Sequence, residues 1–409
     1  MHTSRRQLLQ VGLGSAAAIA LSSSVPNFVS QFAYANAAAN ADISNDNVLV
    51  VVQLTGGNDG LNTVIPYRSD EYHKGRPYIA IKDKYHTLSD QLALNPGMGA
   101  FKGLFDEGRL AVVNGCGYPD PNRSHFRSME IWQTAETVKA KPDGWLGHYI
   151  DHCLRGTDNP LKGVNVGSQL PQALVSDLAP VPCIQSLDDF RVRLDGAASQ
   201  DVKLEEEIIR QLNEVRNQTP SLQFLSRQAT NAIITADNLR KLQAYKPDVT
   251  YPYGLGKQLQ LIAQLIDANM GTRIFYCQIG GFDTHANQPS QHQYQLNQVS
   301  ESIAAFYKDL AAKGHGEKVA VMCFSEFGRR VAQNNSNGTD HGTAAPMFVV
   351  GGKVKGGLYG AYPSLSDLDS GDLKYTTDFR RVYATLLDKW LNVNSAEVLG
   401  NRFEPMMFL

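Results

Sequence analysis

Four apolar runs, each stopping at a polar or glycine-rich loop, constrain this chain more than any other feature. The run Asn47 to Leu54 stops at Thr55-Gly56-Gly57-Asn58-Asp59-Gly60, and Leu110 to Val113 stops at Asn114-Gly115. Arg273 to Ile279 stops at Gly280-Gly281, and Lys318 to Phe324 stops at Ser325-Glu326. Continuous apolar runs rich in β-branched residues read as strands covered on both faces. The covers are visible as well. Gly256 to Met270 repeats Leu259, Ile262, Ala263, Leu265 and Ile266 at helical spacing, and Gln293 to Lys313 repeats Leu296, Val299, Ile303, Phe306, Tyr307 and Leu310. Each of these helices precedes a strand, and this order predicts an α/β fold of three layers, α/β/α, around a mostly parallel central sheet. A further helix is expected over Thr377 to Leu391. Strand ends in such a sheet converge on one edge, where open α/β sheets carry their chemistry.

The segment 186–242 breaks the pattern. Glu205-Glu206-Glu207-Ile208-Ile209 and the mixed stretch to Leu239-Arg240 read as two or three helices, an insertion or cap on the α/β body. Tyr251-Pro252-Tyr253-Gly254 marks the return. The first 37 residues read as an export signal, and residues 38–409 as one domain carrying that insertion. Arg5-Arg6 precede a weakly apolar stretch from Val11 to about Ala20, and small residues around Ala33 to Ala39 offer cleavage sites. Paired arginines look like the twin-arginine type, which carries folded cargo across a bacterial membrane; an ordinary secretory signal is the other reading. The expected location is periplasmic or secreted, with the twin-arginine export machinery as a partner and no stable transmembrane segment in the mature chain.

Charge excludes one class of partner. With 38 Lys plus Arg against 40 Asp plus Glu in 409 residues, the chain lacks the basic excess that nucleic-acid binding requires. The five cysteines form no close metal-binding pair. Cys277 and Cys323 lie in apolar runs and read as core, which leaves Cys153 with Cys183 as the pair to consider for a disulfide.

Five polar constellations fall beyond the strand ends. In the first loop Asp59 is either a turn cap or an oxygen ligand, and the loop matches neither a phosphate loop nor a dinucleotide fingerprint. In Asn122-Arg123-Ser124-His125-Phe126-Arg127-Ser128, Ser124 is either a nucleophile or the cap of a helix beginning near Met129, while Arg123 and Arg127 could neutralise a tetrahedral anion. Gly281-Phe282-Asp283-Thr284-His285 offers a carboxylate and an imidazole suited to Zn or Mn. His292 is an additional ligand or, more simply, an exposed helix-cap histidine. Ser325-Glu326-Phe327-Gly328-Arg329-Arg330 and Thr339-Asp340-His341-Gly342-Thr343-Ala344 add Glu326, Asp340 and His341, with an ion pair from Glu326 to Arg329 or Arg330 as the plainer account of the glutamate.

Leu54-Thr55-Gly56-Gly57-Asn58-Asp59-Gly60, Arg123-Ser124-His125-Phe126, Gly281-Phe282-Asp283-Thr284-His285, Ser325-Glu326-Phe327-Gly328-Arg329 and Asp340-His341-Gly342-Thr343-Ala344 occur in this order. As an ordered set they resemble the exported bacterial family catalogued as domain of unknown function 1501, across almost all of residues 45–408. That family is related in fold to alkaline phosphatases, sulfatases and cofactor-independent phosphoglycerate mutases, so the resemblance implies an alkaline-phosphatase-like body. It also implies one or two divalent ions (Zn, Mn, Mg or Ca) held by Asp59, Asp283, His285, Glu326, Asp340 and His341. Ser124 would be the hydroxyl nucleophile, with His125, Arg123 and Arg127 beside it. The chain departs from the wider pattern at Phe327, where a paired ligand would ordinarily be His, and in the short Asp283–His285 spacing. Ser124-His125-Phe126-Arg127 also lacks the Cys-or-Ser, Pro-or-Ala, Arg pattern of a conventional sulfatase nucleophile. The expected function is metal-dependent hydrolysis of a phosphate or related small anionic ester outside the cytoplasm. The competing reading is a secreted binding or assembly protein, without catalysis, that retains a remodelled metal or anion pocket.

Overall fold

The structure is a computed structural model that describes residues 46–154, 162–178, 181–186, 242 and 244–409. The expected export signal at 1–37 and nearly all of the helical insertion expected at 186–242 lie outside the described residues. The main sheet is built from β1 (Val48–Leu54), β2 (Leu110–Gly117), β3 (Gly163–Val166), β4 (Cys183–Ile184), β5 (Ile274–Ile279), β6 (Val319–Ser325), β7 (Ala345–Gly351), β8 (Gly357–Tyr359) and β9 (Thr377–Asp378). Its order is β8-β2-β7-β6-β1-β5-β3-β4, with β9 also paired to β2. Every pairing is parallel except those of β7, which runs antiparallel to β2 and β6.

β1 lies at the centre because both of its faces are apolar. Val48, Val50, Val52 and Leu54 enter one core, and Leu49 and Val51 enter the other, the period-two division that a pleated strand imposes. The first core is closed by α3 (Tyr253–Asp267) and α4 (Gln288–Ala312). The second is closed by α1 (His125–Thr134), α2 (Trp145–Leu154) and α5 (Phe379–Thr385), with Trp132, Trp145, Phe379 and Tyr383 in stacked or edge contact. The three-layer α/β expectation therefore holds.

Several boundaries differ for local reasons. β2 runs on to Gly117 rather than ending at Val113, because Gly115 adopts φ +59° where the β2–β7 register shifts, a bulge that keeps the strand paired. The expected 377–391 helix begins two residues later: Thr377 and Asp378 extend the sheet, and the Asp378 side chain accepts from Arg380 N to cap α5. A π-helical turn at Leu386–Trp390 follows. α1 starts at His125 rather than near Met129, and Ser124 occupies its N-cap position without a side-chain capping bond. No disulfide forms among the described residues, so the Cys153–Cys183 pairing is not made, whereas Cys277 and Cys323 are core residues as expected. No described helix is long and apolar enough to cross a membrane.

Candidate metal centre

The sheet direction determines which loops meet. β1, β2, β5 and β6 run the same way, so the loops at 55–60, 118–124, 280–287 and 326–328 leave one edge. The short strand Thr339–His341 comes before β7, and only because β7 is antiparallel does it deliver His341 to that same edge.

Three side chains meet there. One donor atom each of His125, Asp283 and His341 lies within 4.8 Å of the others, a group able to hold a metal ion. Asp283 Oδ1 is 3.6 Å from His125 Nε2, 3.2 Å from His341 Nε2 and 3.1 Å from His285 Nε2. A tetrahedral ion with bonds of about 2.0–2.1 Å separates its donors by roughly 3.3 Å, so this spacing suits one ion. The imidazoles also share an orientation. His125 Nδ1 is 2.9 Å from Glu326 Oε1, His341 Nδ1 is 2.9 Å from the Arg123 carbonyl, and His285 Nδ1 is 3.5 Å from Asp340 Oδ1. Each ring faces an acceptor with Nδ1 and the centre with Nε2, and a hydrogen on Nδ1 leaves the Nε2 lone pair for a cation. One observation supports an ion at this point: His125 Nε2 is a buried atom without a hydrogen-bond partner. The Nε2 atoms of His285 and His341 stand 2.9 Å apart, within hydrogen-bonding distance of each other.

The surrounding charges are arranged around Asp283. Burial works to raise its pKa, but Arg329 donates to Oδ1 at 2.7 Å and the net effect holds the carboxyl below its ordinary value. Arg329 is itself buried and fastened to the carbonyls of Gly56, Gly57, Phe282 and Thr339. The Glu326 hydrogen bond raises the His125 pKa against the opposing effect of burial, whereas burial lowers that of His341. Asn334 at 3.1 Å, acting against partial burial, holds Asp340 below its ordinary value. Beneath the centre the buried Phe327 ring lies 4.9 Å from both His125 and His341. Gly57, at φ +75°, makes room for it, because a Cβ there would fall 2.2 Å from the ring.

The remaining expected residues stand elsewhere. Asp59 is not among the converging groups: Arg76 grips it at 2.6 and 2.9 Å, Gln288 donates to Oδ2 at 2.5 Å, and both charged side chains are fully buried. The carboxylate is thus neutralised by a guanidinium, and its second role, capping the turn at Leu61 N, also holds. Glu326 and Asp340 lie one step out, against His125 and His285. Glu326 pairs with neither Arg329 nor Arg330; Arg329 goes to Asp283, and Arg330 faces Asp372 at 3.4 Å. His125, expected beside Ser124, turns its Nε2 to Asp283 Oδ1 and is one of the three converging groups. Ser124 is exposed at the rim, Arg123 pairs with Asp372 at 3.2 Å, and Arg127 pairs with Glu130 at 2.7 Å. His292 is neither exposed nor near the centre. It is buried at 2.8 Å from Asn58 Oδ1, and burial lowers its pKa to about 4. Arg76, the Arg123 carbonyl and the Phe327 platform are contributions that the sequence reading does not assign; the last was visible only as a departure from the expected histidine.

The family described as "Protein of unknown function (DUF1501)" matches residues 114–400, more than half of the chain, and the protein belongs to it. No curated protein matches it in sequence. Among solved structures it is similar to the zinc-complexed C-terminal periplasmic domain of EcEptC from Escherichia coli, at 9% identity and a TM-score of 0.37, covering 76% of this chain and 75% of that one. It is also similar to the PsFucS1 sulfatase from Pseudoalteromonas sp., at 12% identity and a TM-score of 0.36, covering 91% and 71%. A third is the lipoteichoic acid synthase LtaP from Listeria monocytogenes, at 10% identity and a TM-score of 0.35, covering 80% and 69%.

Proposed function

We propose that this DUF1501 protein is an exported hydrolase of a small anionic ester, a phosphate ester first, and that it works with one divalent ion held by His125, Asp283 and His341. The observation that carries the reading is the common orientation of the imidazoles, with Nδ1 against an acceptor and Nε2 turned to Asp283 Oδ1. An imidazole-rich set with one carboxylate favours Zn2+ or Mn2+ over Mg2+ and Ca2+, which prefer oxygen donors. Three protein donors leave a position open for a substrate, as in catalytic rather than closed structural zinc sites. An ion bound there would act as a Lewis acid on an ester oxygen.

The chain would supply the rest. The exposed Ser124 hydroxyl, one residue before His125, would attack the ester or orient the attacking water, and the half-exposed Arg123 guanidinium would bind the ester's anionic oxygens. Export rests on Arg5-Arg6 and the apolar stretch behind them; a twin-arginine route would let the protein fold and load its ion before crossing the membrane.

The test is elemental analysis of the metal-reconstituted mature protein, together with a screen of chromogenic phosphate and sulfate esters. His341→Ala and Asp283→Asn should lose both the ion and turnover, whereas Ser124→Ala should keep the ion and lose turnover. A reconstituted protein that holds no ion would sink the proposal. An ion with no turnover on any ester would favour the binding-protein reading instead.

A further inference from the structure

We propose that Glu326 is a positioning residue rather than a metal ligand: it fixes His125 with the hydrogen on Nδ1, and thereby sets how tightly the centre holds its ion. The proposal rests on the metal reading above. Glu326 is 1% exposed, and its Oε1 already accepts two hydrogen bonds, from Gly56 N at 2.8 Å and from His125 Nδ1 at 2.9 Å. Those two bonds use both lone pairs of that oxygen. The other oxygen, Oε2, lies 3.0 Å from Ser325 Oγ, and the Glu326 carbonyl accepts from Ser128 Oγ on α1. The residue is thus held on three sides, by the loop after β1, by the end of β6 and by α1.

The ring it holds is distinctive in the group. His341 is oriented by a neutral carbonyl, and His285 faces Asp340, an exposed carboxylate, at 3.5 Å. Among these three imidazoles His125 alone leans on a buried carboxylate, and its Nε2 is the buried atom left without a partner. Without Glu326 the recorded acceptor on Nδ1 is gone, and the tautomer with the hydrogen on Nε2, which faces Asp283 Oδ1 at 3.6 Å, cannot ligate at that atom. Carboxylates that orient a ligating histidine in this way typically alter metal affinity by about 10–100-fold when removed.

The experiment titrates Zn2+ by calorimetry into the mature wild type, Glu326→Ala and Glu326→Gln, at alkaline pH so that the imidazoles are neutral. It also reads the His125 tautomer by nitrogen-15 NMR in the metal-free wild type. The expected results are a hydrogen on Nδ1, an affinity loss of about 10–100-fold in Glu326→Ala, and recovery of most of that loss in Glu326→Gln, whose amide oxygen still accepts from Nδ1. Equal affinities in all three proteins overturn the positioning role and leave the metal centre intact. Equal losses in Ala and Gln overturn it too, because a neutral acceptor for Nδ1 then does nothing to sustain the affinity. A wild type that takes up no Zn2+ overturns the metal reading and this proposal with it. Should Glu326→Ala fail to fold, the Gln variant and the wild-type tautomer decide, and a hydrogen on Nε2 in the wild type counts against the proposal.

Discussion

Replacing Asp59 by Asn separates two roles that its sequence position allows, metal ligand and internal counter-ion. In the structure both Asp59 oxygens are gripped by Arg76, and neither side chain reaches solvent. Breaking one partner of a buried ion pair costs about 3–5 kcal/mol, because the other charge stays buried and unpaired. Asn keeps an acceptor for Leu61 N and for one arm of Arg76 but turns its NH2 toward the other arm and Gln288 Nε2, both donors, so the loss is at least about 3 kcal/mol. With an unfolding entropy of roughly 2.1 cal/mol/K per residue over some 360 residues, this lowers Tm by at least about 4 °C. The same substitution should leave Zn2+ affinity unchanged. The acid limb supplies a second readout. Burial works to raise the Asp59 pKa, but Arg76 more than offsets it and the net value lies below 3.8. The pair's stabilisation is therefore complete above the unfolded value and is lost as pH falls below about 4, so the variant should lose less stability on acidification than the wild type. Differential scanning calorimetry and Zn2+ titration on the same samples decide the matter. A Tm shift below about 1 °C would refute the buried-pair account, and a large fall in affinity would return Asp59 to the ligands.

Three other outcomes follow from the same geometry. His292→Gln should flatten the stability profile between about pH 6.5 and 4: the buried imidazole stays neutral while the unfolded one protonates, so the wild type loses up to about 3 kcal/mol across that window, and equal profiles by urea denaturation would contradict this. Gly57→Ala should lower stability by about 2–4 kcal/mol and weaken Zn2+ binding, because its Cβ meets the Phe327 ring at 2.2 Å and φ is +75°; wild-type stability and affinity would show that the ring does not set the imidazoles. Chelation should lower Tm by about 3–4 °C relative to protein held at a hundredfold Zn2+ excess over Kd, and an unchanged Tm would speak against an ion bound to the folded state.

The sheet was legible because its strands are continuous apolar runs stopped by glycine and polar loops, and such runs have few other uses. The helix boundaries were less so. α4 begins at Gln288, five residues before its apolar pattern starts, because Gln288 and His292 on its first turns are buried polar residues turned to Asp59 and Asn58. Periodicity counts apolar side chains and passes over such residues. Asp59 shows the same limit: nothing in the sequence links it to Arg76, and their contact depends on how the short helix Asp70–Gly75 folds back over the loop. At the centre, Asp283 and His341 were visible as residue types in loops. The group that orients His341 is the carbonyl of Arg123, and a backbone carbonyl has no sequence signature.

Phe327 connects these threads. The resemblance leads one to expect a second imidazole at this position, directly after Glu326, and the chain places an apolar ring there instead. That ring cannot ligate, yet it lies under His125 and His341 at equal distance, with the wall of the loop after β1 thinned to glycine to receive it. His125, on the first turn of α1, is fastened to the neighbouring Glu326. Meanwhile the carboxylate after β1 is neutralised by Arg76 rather than left free for a cation. These departures act in the same direction. They leave among the described residues one group able to hold a metal ion, His125, Asp283 and His341, where the resemblance allowed for one or two ions.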